Sequence, residues 1–453
     1  MKPMAHQFNK SWMGAIVAAV FFGATSTALP GLAQPSVAPG QQGQPGSSPP
    51  PVKTHPFNIE NVERFNALRT PSPKELVDEV WQLVERSYVD STFNQKDWKA
   101  IRKRYVDRSY NSLEDAYLAI NEMLKLLGDP LTRFLNPLAF KAMQIDSNSN
   151  VAGIGLQLAK DEKTQKINII APIEDGPAWK AGVLAGDTLT KIDGQSMERM
   201  DVNAAVTLLQ GKPATFVTLA LLRDGKPLEF RIQRAKVEIR PVRYNAQETA
   251  IGRIGYIRFT QFNANATKEM KTAIETLEAQ TVKGYILDLR SNPGGLLYAA
   301  IEITRQWLPK GVIVSTVDRN GERDREQANN RALTDKPLVV LVDGGSASAS
   351  EIMAAALQEN RRALLVGTRT WGNNSIQSVR ALKGDSGLAV TVAKWLTPKG
   401  RDISKVGIEP DVTVKLTETQ RRKLTTNRDI GTTADPQYAR ALEILSRSIE
   451  PAQ

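Results

Sequence analysis

From Ile254 onward the chain alternates two hydrophobic periods, and this alternation restricts its fold more than any other feature of the sequence. Short, largely apolar runs at Ile254–Phe259, Tyr285–Leu289, Leu338–Val342 and Leu364–Val366 predict buried strands. The segments between them repeat their apolar residues three and four positions apart. Met270, Ala273, Ile274 and Leu277 share one face of Thr267–Gln280, and Leu296–Trp307 and Glu351–Glu359 also read as helices. Buried strands alternating with amphipathic helices predict an α/β core over residues 238–415.

The preceding residues are organised differently. Residues 150–237 carry short strand patterns, with Leu156 and Leu158 alternating, then Ile167–Ile170, Thr188–Ile192 and Val217–Leu222. Two helical pieces, Ala178–Ala181 and Val202–Leu209, lie between them, so this stretch predicts a compact β domain with two helices. Residues 58–145 predict a helical region. Ser72-Pro73 opens one helix with Leu76, Val80, Leu83 and Val84 at helical spacing. Ser112 caps another, which ends at the break Gly128-Asp129-Pro130. A last helix is expected at Pro436–Ile449, within a tail of residues 416–453.

The first residues read as an address. Lys2 and Lys10 precede a short apolar stretch, Met13–Phe22, followed by small residues up to Gly31-Leu32-Ala33. This predicts a cleaved export signal over 1–33. The apolar stretch is well short of the ~20 residues that span a bilayer, so no stable membrane span is expected after cleavage. Residues 34–57 hold six prolines between Gln34 and Lys53 and predict a disordered Pro/Gly/Gln linker. The net charge of +11, from 59 Lys+Arg against 48 Asp+Glu, is interleaved along the chain. It predicts solvated basic faces and no nucleic-acid partner.

Composition also removes several chemistries. There is no cysteine, so disulfides, thiolate metal sites and a cysteine nucleophile are excluded. His6 and His55 are the only histidines and lie near the N-terminus. A Ser-His-Asp triad and a multi-histidine metal site have no residues to build them, and no metal is expected.

Two strand ends carry residues suited to chemistry. After Leu338–Val342 comes Asp343-Gly-Gly-Ser-Ala-Ser-Ala-Ser350-Glu351. A serine at this strand-to-helix turn stands where helix N–H groups favour a developing oxyanion. The same serines also suit plain helix capping. After Leu289 comes Arg-Ser-Asn-Pro-Gly294-Gly295, whose glycines permit close backbone approach or simply an ordinary turn.

Together, Asp288-Leu-Arg-Ser-Asn-Pro-Gly-Gly-Leu-Leu297 and Gly345-Ser-Ala-Ser-Ala-Ser-Glu351 resemble the carboxyl-terminal processing peptidases (tail-specific proteases), which use a serine–lysine pair. Gly128-Asp-Pro-Leu-Thr-Arg-Phe134, Thr397-Pro-Lys-Gly-Arg401 and Gly407-Ile-Glu-Pro-Asp411 extend the resemblance over almost everything after the linker. It implies a multi-domain α/β protein: a helical N-terminal region, a PDZ domain over 150–237 and a crotonase-like peptidase core. Gly153-Ile154-Gly155-Leu156 matches the PDZ loop that receives a peptide carboxylate, and such a domain takes a C-terminus as an added strand. The implied partners are protein or peptide C-termini, and no cofactor is implied.

By the same resemblance Ser348 matches the nucleophile, Gly294 and Ala349 the oxyanion-hole N–H donors, and Gln377 the family glutamine. The lysine position is Asn373, and no lysine occurs between Arg361 and Arg380. An amide cannot accept the serine proton as a neutral lysine does. Lys394 and Glu351 are the candidate substitute bases. Two functions stay open: an exported serine-type endopeptidase acting near C-termini, and a pseudopeptidase that binds them without turnover. Export fits a periplasm or a thylakoid lumen. The oligomeric state is not legible.

Overall fold

A computed structural model describes residues 71–449 except 148, 149, 162, 163, 199, 201, 239 and 322. The expected signal segment, the linker and both histidines lie outside the described residues. The N-terminal region begins with helix α1 (Pro73–Ser87), opened by the expected cap: Ser72 and Glu75 form a reciprocal capping box. Helices α2 (Trp98–Val106) and α3 (Leu113–Lys125) follow, the latter capped by the Ser112 hydroxyl, which accepts from the Asp115 N–H. Strand β1 (Arg133–Leu135) and helix α4 (Pro137–Ser147) complete it. Trp81 and Trp98 stack with ring centroids 6.5 Å apart.

Next comes a strand-rich unit: β2 (Asn150–Gly153), β3 (Leu156–Lys160), β4 (Ile167–Pro172), helix α5 (Pro177–Ala181), β5 (Thr188–Ile192), β6 (Gln195–Ser196), helix α6 (Val202–Leu209), β7 (Phe216–Arg223), β8 (Lys226–Gln233) and β9 (Ala235–Glu238). Its main sheet runs β3-β4-β5-β7-β8, with β6 on β5, and β2 pairs with β9 at the base. A separate core of Ile154, Ile167, Ile169, Leu189, Val217 and Leu219 fills it. Asp187, 1% exposed, is held by both arms of Arg223 at 2.7 Å.

The third unit holds β10 (Val242–Thr249), β11 (Gly252–Phe259), helix α7 (Ala266–Ala279), β12 (Tyr285–Asp288), helix α8 (Leu297–Trp307), β13 (Val312–Asp318), β14 (Arg323–Gln327), β15 (Leu338–Val342), helix α9 (Ala349–Glu359), β16 (Leu364–Gly367), β17 (Ser375–Ala381), β18 (Gly387–Leu396) and β19 (Val412–Thr413). Helices α10 (Glu418–Asn427) and α11 (Pro436–Ile449) follow. A six-stranded sheet runs β10-β11-β12-β15-β16-β19 and is parallel from β11 onward.

Strict alternation explains why these strands are apolar on both sides. Tyr285, Leu287, Val340 and Val342 face α7, α8 and α9, whereas Ile286, Val339 and Leu341 face Tyr438, Ala441 and Leu445 of α11. The fold is therefore the expected α/β core joined to a PDZ-like unit and N-terminal helices.

One feature differs from the sequence reading. The N-terminal region is not helical alone: β1 joins the second core sheet through β18, pairing Arg133 with Ala389 and Leu135 with Gly387. The sequence hides this sheet because β17 interleaves polar residues with apolar ones and β1 is only three residues long. Leu388 and Val390 of β18 supply the surface on which α1 and α3 bury Val80, Val84 and Ile120.

Candidate active site

Adjacent parallel strands β12 and β15 end side by side, and the two loops that leave them build the site. Ligands in open α/β sheets sit beyond these carboxyl ends. The loops are laced together by groups that otherwise have no reason to be polar. Asp343 accepts from the Ser291 N–H at 2.8 Å and the Gly345 N–H at 2.9 Å. The Ser346 hydroxyl donates to Leu289 O and the Ser350 hydroxyl to Asn292 O, each at 2.8 Å. Asn292, fully buried, donates to Phe259 O and accepts from the Gly294 N–H at 2.9 Å.

Of the three alternating serines, Ser346 and Ser350 are thus engaged in joining the loops. Ser348 lines a cavity of about 10 Å³ with Gly295, Leu297, Ala349, Ile352, Ser375, Ile376, Gln377 and Trp395. That is room for roughly one water molecule. Ser348 is the N-cap of α9, with φ 54° and ψ −114°. A non-glycine residue there stores on the order of 1–3 kcal/mol of strain, which neighbours must hold. Ala349 opens the helix, and its N–H has no acceptor among the described residues, so the positive end of α9 faces the cavity.

Glu351 does the holding. It is fully buried and accepts four bonds: from Thr370 Oγ1 at 2.5 Å, the Gly372 N–H at 2.7 Å, the Ser348 N–H at 2.8 Å and the Asn373 N–H at 2.9 Å. One carboxylate oxygen therefore bridges the backbones of residues 348 and 373. Burial pushes the Glu351 carboxyl up, opposed by the bonds from Thr370, Asn373, Gly372 and Ser348.

The sequence-predicted residues separate on this frame. Ser348, Ala349 and Gln377 come together around one cavity. Gly294 touches the serine loop closely: a Cβ there, at φ +98°, would lie 2.6 Å from Ala347 O. Its N–H, however, is turned into its own loop by Asn292 and does not point at the cavity as a free donor. Asn373 does not line the cavity; its side-chain oxygen accepts from the Ser375 N–H at 3.1 Å.

Neither substitute base is placed for proton transfer. All accepting directions of Glu351 are occupied. Lys394 is exposed on β18 beside Ser375, with its charge felt at Asp90, while its neighbour Trp395 faces the cavity. The cavity lining contains no carboxylate, lysine or histidine.

Gln377 is reached through a β-bulge between Ile376 and Gln377, which lets consecutive residues of β17 border the cavity. Its amide donates to Thr391 Oγ1 at 3.3 Å. Thr391 donates in turn to Asp129 Oδ2 at 2.6 Å, which also accepts from Thr132 Oγ1 at 2.7 Å. Asn292, Thr391 and Trp395 were not legible as site residues. Asp129 stood in view in the Gly-Asp-Pro break, but nothing in the sequence alone connects it with Gln377.

In the PDZ-like unit, Gly153–Leu156 forms the loop into β3, an edge strand flanked by α6. Ile154 O accepts from the Ala178 N–H and Gly155 O from the Ile173 N–H, both at 2.9 Å. Gly155 has φ +76° with a Cβ position 3.2 Å from Val237, so a side chain would strain this turn.

A serine at a helix N-terminus beside a Gly-rich loop, on an α/β core carrying a PDZ-like unit, defines the class of PDZ-containing serine peptidases. Comparison with known proteins gives the same class: residues 253–414 match the model for peptidase family S41, and 169–223 match a PDZ domain. The chain is 42% identical to a carboxyl-terminal-processing protease of Synechocystis sp., over 85% of this chain and 89% of that one. It is 40% identical to the chloroplastic carboxyl-terminal-processing peptidase 2 of Arabidopsis thaliana, over 74% and 67%. Among solved structures, a photosystem II D1 C-terminal processing protease aligns with a TM-score of 0.62 and 35% identity, over 81% of this chain and all of that one. The chain belongs to the carboxyl-terminal processing proteases of peptidase family S41. Among the described residues no helix is long and apolar enough to cross a membrane.

Proposed function

We propose that the chain is an exported serine-type processing peptidase that takes protein C-termini on its PDZ domain and cleaves near them. The observation that carries this reading is Ser348, strained at the positive end of α9 and lining one cavity with Ala349 and Gln377. The Ser348 oxygen attacks the carbonyl carbon, and the Ala349 N–H meets the oxyanion. A second donor comes from the Gly294–Gly295 turn, with Gly294 free to serve if Asn292 releases its N–H. The C–N bond then breaks, and the serine proton passes through a water in the cavity to the leaving amine. A second water hydrolyses the acyl-serine ester, its OH going to the acyl carbon and its proton to the serine oxygen. C-termini add as a strand beside β3, with the carboxylate at Gly153, Ile154, Gly155 and Leu156. Cyanobacterial and chloroplastic relatives favour a periplasmic or lumenal setting.

A second reading has a specific observation behind it. With Asn373 turned toward Ser375 and no base lining the cavity, the chain acts as a pseudopeptidase that binds C-termini without turnover. Loss of such a base costs ~10³–10⁶ in rate.

The test compares the wild type with Ser348→Ala and Asn373→Lys on a protein substrate with an apolar C-terminus. Cleavage by the wild type but not by Ser348→Ala establishes the peptidase. Because Glu351 already bridges residues 348 and 373, Asn373→Lys is expected to raise the rate by ~10³-fold or more. Cleavage by Asn373→Lys alone leaves the pseudopeptidase.

A further inference from the structure

Arg133 is a cation in an unusual position. It lies on β1 within the core sheet, partly buried, and no carboxylate forms an ion pair with it among the described residues. Its recorded bond is a long one, from Nη1 to Leu131 O at 3.4 Å. Asp129, whose charge acts on it, already accepts from the Leu131 N–H and from the Thr132 and Thr391 hydroxyls. Burial lowers the Arg133 pKa, only partly offset by Asp129. Desolvating a guanidinium without a partner is costly, and folds rarely keep such a group without a use.

The sheet register shows where this cation looks. Arg133 pairs with Ala389, and Ala389 pairs on its other side with Val379. Residues directly opposite in antiparallel pairs share a face. Leu135, Ala389 and Val379 do form one cluster, while Phe134, Leu388 and Val390 form another on the opposite face. One row along the same face stand Thr391 and Gln377. Leu131, which receives the Arg133 Nη1, lies in the direction of that row because β1 and β18 run antiparallel. The guanidinium therefore reaches back along its strand toward the row that holds Gln377. Two strand spacings of ~4.8 Å separate β1 from β17, a gap that an arginine and a carboxylate together can cross.

We propose that Arg133 binds a carboxylate of the peptide held in the Ser348 cleft, as a specificity residue acting beside Gln377. The inference rests on the reading that the cleft handles peptide chains. A guanidinium offers a planar fork of donors matched to a carboxylate, and an unpaired one gains most from receiving it. Two sources supply that group: the α-carboxylate of the peptide and the side chain of an Asp or Glu within it.

The test uses the full chain carrying Ser348→Ala, so that bound peptide is not consumed, and fluorescent peptides of identical apolar sequence titrated by anisotropy. One ends in a free carboxylate, one in an amide, and one ends in an amide but carries a single internal Glu. Adding Arg133→Gln is expected to weaken at least one carboxylate-bearing peptide about tenfold or more. The neutral amide should be unaffected, and Arg133→Lys should keep part of the preference. Loss with the free-acid peptide identifies the α-carboxylate, and loss with the Glu peptide identifies the side chain. Thermal unfolding of free Arg133→Gln should show no fall in Tm, because no ion pair is removed.

Affinities unchanged by Arg133→Gln for each peptide, with the free acid still preferred over the amide, overturn the inference and leave PDZ capture of C-termini standing. Equal weakening of all three peptides with a lowered Tm makes Arg133 structural and also overturns it. If the parent chain binds no carboxylate form better than the neutral amide, the inference and the capture reading both fall.

Discussion

A single carboxylate organises the candidate site. Glu351 is the one side chain that touches the backbone of the serine, the backbone of residue 373 and the Thr370 hydroxyl, so its removal strands two buried and two half-buried donors at once. Glu351→Ala is expected to cost ~3 kcal/mol or more, read as a lower urea midpoint at unchanged m-value. At this scale the sequence was legible in part. It marked Ser348 among the strand-end serines only through family resemblance, because Ser346 and Ser350 differ from it by contacts with a loop more than fifty residues away. It exposed Asn373 by the same resemblance, as the residue at the family's lysine position. It gave no means of seeing that Glu351 has every acceptor direction filled or that Lys394 lies on the solvent side, since both depend on long-range packing.

Elements show the same division between local and distant causes. Caps at Ser72 and Ser112 and the helix Pro436–Ile449 follow from local chemistry, and the structure has them where the sequence puts them. The hairpin of β17 and β18 was not read from the sequence, because β17 is half polar and both strands gain their burial from distant segments, α1, α3, β1 and β13. Helix α11 was legible as a helix but not as the cover for the second face of the parallel sheet. Leu445 is fully buried there among Ile286, Val339 and Tyr438. Leu445→Ala is expected to destabilise the chain by ~2–5 kcal/mol in chemical denaturation. An exposed neighbour such as Arg447 should tolerate alanine within ~0.5 kcal/mol.

Across the whole molecule, a chain of partly and fully buried charges joins units that are far apart in the sequence. Glu174, at the foot of the PDZ domain, pairs with Arg243 and Arg258; Arg258 reaches Asp288, and Arg290 links Asp288 to Asp435 ahead of α11. Burial opposes ionisation of Asp288, yet Arg290, Arg258 and the Tyr256 hydroxyl outweigh it and bring its pKa down to about 2. A carboxylate depressed on folding contributes stability that is present above its unfolded pKa of ~3.9 and is lost as pH falls through the folded value. Denaturant titrations should therefore show wild-type stability falling from about pH 4 toward pH 2. Asp288→Asn should be less stable at pH 6, with its deficit shrinking over the same window. A deficit independent of pH would assign the effect to lost hydrogen bonds alone.

Thr132 and Thr391 meet although they are 259 positions apart in the chain, and their contact supports the row holding Gln377. Closing so long a loop is slow and comes late in folding. A partly made chain thus carries Ser348 before it owns the residues that complete the cavity. Until Thr391 has been made and has met Thr132, Ser348 stands without the finished lining that the folded chain gives it.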